Sequence, residues 1–258
     1  MPLEKQLISF YTILRKGIAR IFTIWPQTLL PSVVTSVLYF AIFGNILGAQ
    51  IGEVGGVSYL LFVVPGLVML AVITNAYTDV AMVFFISKFF SRNIDEILVS
   101  PTPPSVIVAG FVASGIFRGM FVGVLVLMTS LFFSFPPVAH PFIVLLFLFL
   151  SSFVFALGGL INGIYAKSFD GISIVPTFVL TPLVYLGGVF YSIHSLPPLW
   201  QTVSLFNPVF YIINGFRYGF FGTSDVSLLT CFLVLFALML ALLGANVYFL
   251  KKGLGLKQ

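Results

Sequence analysis

Six stretches of this chain run for more than 20 residues almost without charge, and nothing else constrains the fold as strongly. They are 27–47, 58–86, 104–133, 141–166, 171–193 and 226–250, and the only ionisable side chains inside them, tyrosine and cysteine apart, are Asp79 and Arg118. A bilayer core about 30 Å thick is crossed by about 20 apolar residues rising about 1.5 Å each. Only structures that satisfy their own backbone survive there, so each stretch is expected to be a helix. Composition agrees. Charged residues make up 7% of the 258, against roughly 25% in soluble domains, too few to cover a water-facing surface. The first apolar run is longer than the core of a signal peptide and is followed by no small-residue cleavage site, so it is expected to be retained. The fold class expected is an all-α integral membrane protein with six transmembrane helices.

Lys and Arg set the orientation. With the N-terminus inside, the inner segments carry Lys5, Arg15, Lys16, Arg20, Lys88, Arg92, Lys167, Lys251, Lys252 and Lys257, ten of the 12 basic residues. Only Arg217 falls outside, and Arg118 lies in a span. The bias toward one side puts both termini in the cytoplasm. The bases are scattered singly between apolar runs, which excludes a phosphate-tracking nucleic-acid patch. Cys231 is the one cysteine, so no intrachain disulfide can form.

Three segments are not simple spans. In 3–25, Leu3, Leu7, Phe10, Leu14, Ile18, Ile21 and Trp25 recur at helical spacing, with Lys5, Ser9, Thr12, Lys16 and Arg20 on the other side. This predicts an amphipathic helix in the cytoplasmic interface, leading into the first span near Pro26. In the loop 88–103, Asn93 can cap a short helix, with Glu96 answering as in a capping box and Asp95 in the first turn. Ile94, Ile97 and Leu98 give that helix an apolar stripe, and Pro101, Pro103 and Pro104 end it. Such a stripe either rests on the membrane surface or docks in a groove of another protein. In 194–225, Leu196-Pro197-Pro198-Leu-Trp200 and Asn207-Pro208-Val-Phe-Tyr211 each begin with a break and continue apolar. Two half-helices dipping into the outer leaflet are expected, with Arg217 near their end, paired with an acid such as Asp225 or held on a lipid phosphate.

Sites of chemistry are sparse. No Gly-Lys-[Ser/Thr] occurs, so the chain has no P-loop, and there is no His-Glu-x-x-His or Gly-x-Ser-x-Gly. No catalytic residue or metal set is expected. Polar groups within spans cost a few kcal/mol unless paired or solvated, which singles out Asn75, Tyr77, Asp79, Arg118 and Asn162. They either line an internal path or tie neighbouring helices together. Arg118 on the helix antiparallel to that of Asp79 is a candidate partner for it.

Ordered motifs along the whole chain carry a resemblance. They are Trp25-Pro-Gln-Thr-Leu-Leu-Pro31, Tyr39-Phe-Ala-Ile-Phe-Gly-Asn45, Val64-Pro-Gly-Leu67, Val72-Ile-Thr-Asn-Ala-Tyr77, Arg92-Asn-Ile-Asp-Glu-Ile-Leu-Val99 and Ala166-Lys-Ser-Phe-Asp170. Further on come Val175-Pro-Thr-Phe-Val-Leu-Thr-Pro-Leu-Val-Tyr-Leu-Gly-Gly-Val-Phe-Tyr191, Leu196-Pro-Pro198, Asn207-Pro208 and Gly215-Phe-Arg-Tyr-Gly219. Together they resemble the permeases of type-2 ABC exporters, with 1–258 as a single transmembrane domain. The resemblance implies that 3–25 is an interfacial connecting helix, that Arg92, Asn93, Ile94, Asp95, Glu96, Ile97 and Leu98 form a coupling helix on a separate ATPase, and that 194–225 is an outer re-entrant hairpin. It further implies a homodimer in the bacterial inner membrane, among membrane lipids, with ATP and magnesium bound by the partner ATPase and no cofactor bound by this chain. The Phe-rich spans suit a hydrophobic or amphipathic substrate. A proton-coupled secondary transporter using Asp79, a non-transporting membrane scaffold and an intramembrane enzyme are the competing readings, the last disfavoured for want of a nucleophile with a base.

Overall fold

The computed structural model describes residues 2–54, 56–90, 96–97 and 99–255, with the side chain of Asn45 outside that description. Of the coupling segment, Arg92, Asn93, Ile94, Asp95 and Leu98 lie outside the described residues, as does Lys257. The regular structure of the described residues is helical apart from a short antiparallel ribbon, in which β1 (Glu53–Val54) pairs with β2 (Val57–Ser58).

The N-terminal helix, α1 (Leu3–Thr23), is followed by the long apolar helix α2 (Trp25–Ile51). Then come α3 (Tyr59–Phe89), α4 (Pro104–Ser130), α5 (Pro141–Tyr165) and α6 (Phe169–Tyr185). The short pair α7 (Pro198–Leu205) and α8 (Pro208–Phe221) precedes α9 (Leu228–Lys252). Prolines at the first turns of α4, α5, α7 and α8 start these helices at positions where a missing N–H costs nothing. Among the described residues, α2, α3, α4, α5 and α9 are long and apolar enough to cross a membrane. In α3 and α5 most of the apolar window is buried, 72% and 67%, whereas in α2 and α9 it is 18% and 17%. The core is therefore α3 against α5, and the faces of α2 and α9 are left for lipid or another chain.

The fifth expected span differs from the other five. Its helix has 17 residues and rises only about 25 Å. It passes through a π-helical stretch, Pro176–Leu180, where the Thr181 N–H reaches back to the Pro176 carbonyl. The chain nonetheless runs from one end of the bundle to the other. At one end, the Lys88 ammonium at the close of α3 donates to the Ile164 carbonyl (3.0 Å) and to that of Gly255, gathering the ends of α3, α5 and the C-terminal segment. At the opposite end, Tyr59 at the start of α3 donates through its hydroxyl to the Phe190 carbonyl (3.2 Å), and the Ala139 and His140 N–H groups bond Phe220 and Gly219. Residues 169–190 thus run between the two ends, from Phe169 packed on Phe85 and Phe90 to Phe190 beside Tyr59, with turns and bends after the short helix.

The N-terminal helix packs lengthwise on the first half of α4. Ile13 meets Gly110, Gly17 meets Ser114, and the Phe22 ring lies edge-on to those of Phe117 and Phe121 at 6.1 and 5.8 Å. A Cβ on Gly17 would stand 2.5 Å from the Ser114 Cβ, so this approach requires glycine. The protein-facing side is accordingly Ile13, Gly17 and Ile21, while Leu3 and Leu7 of the expected apolar stripe are 71% and 58% exposed. Arg20 also departs from the polar side assigned to it and turns inward.

Candidate functional site

Arg20 turns toward a cluster of polar groups that joins α1, α2, α3 and α4. Asp79 is 1% exposed, and its Oδ1 accepts from Arg118 Nη1 (2.7 Å) and also from Arg20 Nη2. Arg118 donates further to Asn75 Oδ1 (3.2 Å) and the Thr28 carbonyl (3.3 Å). Asn75 in turn donates to Ser32 Oγ at 3.0 Å. Helical geometry places these groups together: Asn75 and Asp79 are four apart on one face of α3, and α4 runs antiparallel beside it. Two guanidiniums share one carboxylate oxygen, while Asp79 Oδ2 and the Nε atoms of Arg20 and Arg118 are buried without a partner. The cluster therefore carries an excess of one positive charge where polar groups are costly to bury. It fastens four helices.

Tyr77 and Asn162 fall on the other side of α3, apart from this cluster. Both line an open, largely apolar groove of about 480 Å³, with Phe155, Leu183, Pro208 and Leu242 among its other walls. Asn162 Nδ2 donates to the Ile172 carbonyl at 2.9 Å and so ties α5 to α6. The five intramembrane polar residues thus divide into a helix-fastening set (Asn75, Asp79, Arg118) and a groove-lining set (Tyr77, Asn162).

At the opposite end of the bundle, α7 and α8 form the expected pair of short helices. Their junction is held by side chains: Ser204 Oγ donates to the Leu186 carbonyl (3.2 Å), and Asn207 Nδ2 donates to that of Leu183 (2.6 Å). Asn207 Oδ1 also accepts from the Val209 N–H at 2.9 Å, capping α8 ahead of Pro208. Leu196 accepts from Gln201 Nε2 through its carbonyl, and Pro197 stands at the N-cap of α7, with Pro198 in its first turn. Trp200 is 44% exposed on the outer side of that helix. Arg217 is buried, its guanidinium 3.9 Å from the centre of the Phe62 ring, and its Nη2 donates to the Gly188 carbonyl at 2.9 Å. Asp225 lines the same pocket, of about 530 Å³, but its recorded ion pair is with His194 Nε2 at 3.6 Å.

Of the loop expected to couple to a partner, Glu96 is exposed, Ile97 is half-buried and Val99 is 88% exposed. Ile97 packs on its own protein, lining a cavity with Ile13 of α1 and Phe111 of α4. A substitution there would disturb the seat of the loop, so Val99 is the cleaner test of a contact with another chain.

Sequence reasoning missed Arg20 as a member of the cluster, the helix-tying role of Lys88, and Asn246, which is fully buried and donates to the Leu157 carbonyl at 3.1 Å. One signal for Arg20 was legible: Ile13, Gly17 and Ile21 recur every four residues, and Arg20 adjoins that line.

This architecture can be set beside known proteins. Residues 8–221 match the family of ABC-2 type transporters. The inner membrane transport permease YadH of Escherichia coli strain K12 is 52% identical over 252 residues, which cover 97% of this chain and 98% of that protein. Nodulation protein J of Rhizobium leguminosarum bv. trifolii is 26% identical over 200 residues, 74% of this chain and 72% of that protein. Nodulation protein J of Neorhizobium galegae is 23% identical over 230 residues, 85% and 84% of the two chains. Together with the apolar helices, the end-to-end match establishes that this chain is a multi-pass inner-membrane protein belonging to the ABC-2 type transporter family.

Proposed function

We propose that this chain is the membrane-embedded permease subunit of an ATP-driven exporter, working as two copies with a separate ATPase that binds ATP and magnesium. The observation that carries this reading is the nearly full-length similarity to a transport permease in a chain that has no P-loop of its own. In this reading the chain crosses the bilayer six times with both termini in the cytoplasm. The segment 169–190 makes the fifth crossing, which agrees with its contacts at both ends of the bundle, Phe169 with Phe85 and Phe90 at one and the Phe190 carbonyl with Tyr59 at the other. The α7–α8 hairpin dips into the outer leaflet and caps the exit, and the loop 88–103 docks on the ATPase. ATP-driven closure of the ATPase pair would bring two such loops together and open the interface between permeases. The open groove at Tyr77 and Asn162, largely apolar with Tyr165 as a further polar residue in its lining, suits a hydrophobic or amphipathic substrate.

The test is purification of the tagged chain from its own cells in a gentle detergent, with identification of co-purifying proteins. An ATPase present at about one copy per permease, and lost when Val99→Asp is introduced while insertion is normal, is the expected result. A permease recovered alone under conditions that keep other ABC complexes intact would refute the reading.

A further inference from the structure

A second feature of the α1–α4 contact lies on the loop side of the charge cluster. Between α1, α3 and α4 there is a cavity of about 270 Å³ with Ile13, Val83, Ile86 and Phe111 on its apolar walls and Lys16 and Arg20 beside them. Ile97, reaching in from the 88–103 loop, forms part of the rim. The cavity has a polar end and an apolar end. Ser87 and Ile86 lie within a turn of the close of α3 at Phe89, near the level of the bilayer surface, whereas Val83 lies deeper along the same helix. Lys16 is one helical turn closer to the surface than Arg20.

The charges beside this cavity do not balance. Arg20 and Arg118 share the single carboxylate of Asp79, leaving one positive charge, and Lys16 adds another: Glu96 lines a neighbouring pocket with it, but no carboxylate forms an ion pair with Lys16 among the described residues. Arg20 also keeps a buried Nε without a partner. Two uncompensated cations beside an apolar slot at the membrane surface are complementary to one kind of molecule: an anion attached to a hydrocarbon chain.

We infer that this cavity is a binding site for one anionic glycerophospholipid of the leaflet on the side of the 88–103 loop. Its phosphate accepts hydrogen bonds from Lys16 and lies near the unbalanced guanidiniums. The first part of one acyl chain enters between Val83, Ile86 and Phe111. The inference rests on the bilayer embedding of the chain and is independent of the export reading. Because Ile97 forms part of the rim, the bound lipid would also help fix the seat of the loop.

The experiment is native mass spectrometry of the full-length chain in detergent, titrated with short-chain phosphatidylglycerol or phosphatidylcholine of matched chains. One phosphatidylglycerol should bind about five-fold more tightly than phosphatidylcholine, the effect expected of one near-surface cation. Lys16→Gln should reduce that preference, since the excess guanidinium charge stays. Lys5→Gln, an exposed lysine on the same helix away from the cavity, should leave it intact. Val83→Trp, which fills the slot, should remove binding of both lipids. Equal binding of the two lipids by the parent, or an equal loss in Lys5→Gln and Lys16→Gln, would overturn the site as a headgroup receptor. Glycerol phosphate without a chain binding as tightly as the lipid would overturn the acyl slot. Lys16→Gln changes an exposed side chain, so it reads out the site even if Val83→Trp does not fold.

Discussion

Replacing Asp79 by Asn keeps the shape of the buried cluster and removes its only negative charge. The amide oxygen can still accept from both guanidiniums, so the change isolates the Coulomb contribution from the hydrogen bonds. What remains is Arg118, with a side chain 10% exposed, and Arg20, 29% exposed, facing each other without an anion. Removing one partner of a buried pair costs roughly 3–5 kcal/mol. Arg20 recovers part of this by turning toward the surface, so about 3 kcal/mol is expected for Asp79→Asn. Arg118→Gln leaves Arg20 and Asp79 as a neutral pair and should cost about 1–2 kcal/mol, mainly in hydrogen bonds to Asn75 and Thr28. The double variant Asp79→Asn/Arg118→Gln leaves only the cation best able to reach water. It should be more stable than Asp79→Asn alone, with a coupling of about 2 kcal/mol. The assay is reversible unfolding of the detergent-solubilised chain by titrated denaturing detergent, comparing the parent, both single variants and the double. A double variant as unstable as the sum of its parts would refute the claim that charge imbalance, rather than packing, sets the cost.

Gly17→Leu should lever α1 off α4 at the Ser114 contact, destabilising the chain by about 1–3 kcal/mol and exposing the N-terminal segment to protease. Asn207→Ala removes both the cap of α8 and the bond to the Leu183 carbonyl. A loss of about 1–2 kcal/mol in the same unfolding assay is expected, with loosening confined to the α7–α8 hairpin in hydrogen exchange. Single cysteines at Val99 and His194 should react with a membrane-impermeant thiol reagent from opposite sides of the membrane. The native Cys231 is fully buried and contributes no background, and labelling from one side would refute six crossings.

Five of the six expected spans were readable because bilayer physics acts on composition. A run of about 20 residues without charge has one stable outcome in lipid, and its length fixes where it must end. The two half-helices in 194–225 were readable for a related reason: Pro197, Pro198 and Pro208 fix where helices can begin. Side-to-side contacts were not readable. That Asp79 meets Arg118 depends on the antiparallel register of α3 and α4, and that Arg20 joins them depends on Gly17 allowing α1 to approach Ser114. Periodicity marks a face as apolar without distinguishing lipid from protein, because both solvate hydrocarbon. The stripe of Leu3 and Leu7 was therefore visible, yet only packing revealed that it faces away from α4 while Ile13, Gly17 and Ile21 face toward it. The division of the buried polar residues into a fastening cluster and a groove was decided the same way, by which neighbour each side of α3 received. Sequence by itself determined the lipid-soluble helices and where they break. Tertiary structure decided which polar groups meet, because those meetings depend on helix register and close approach.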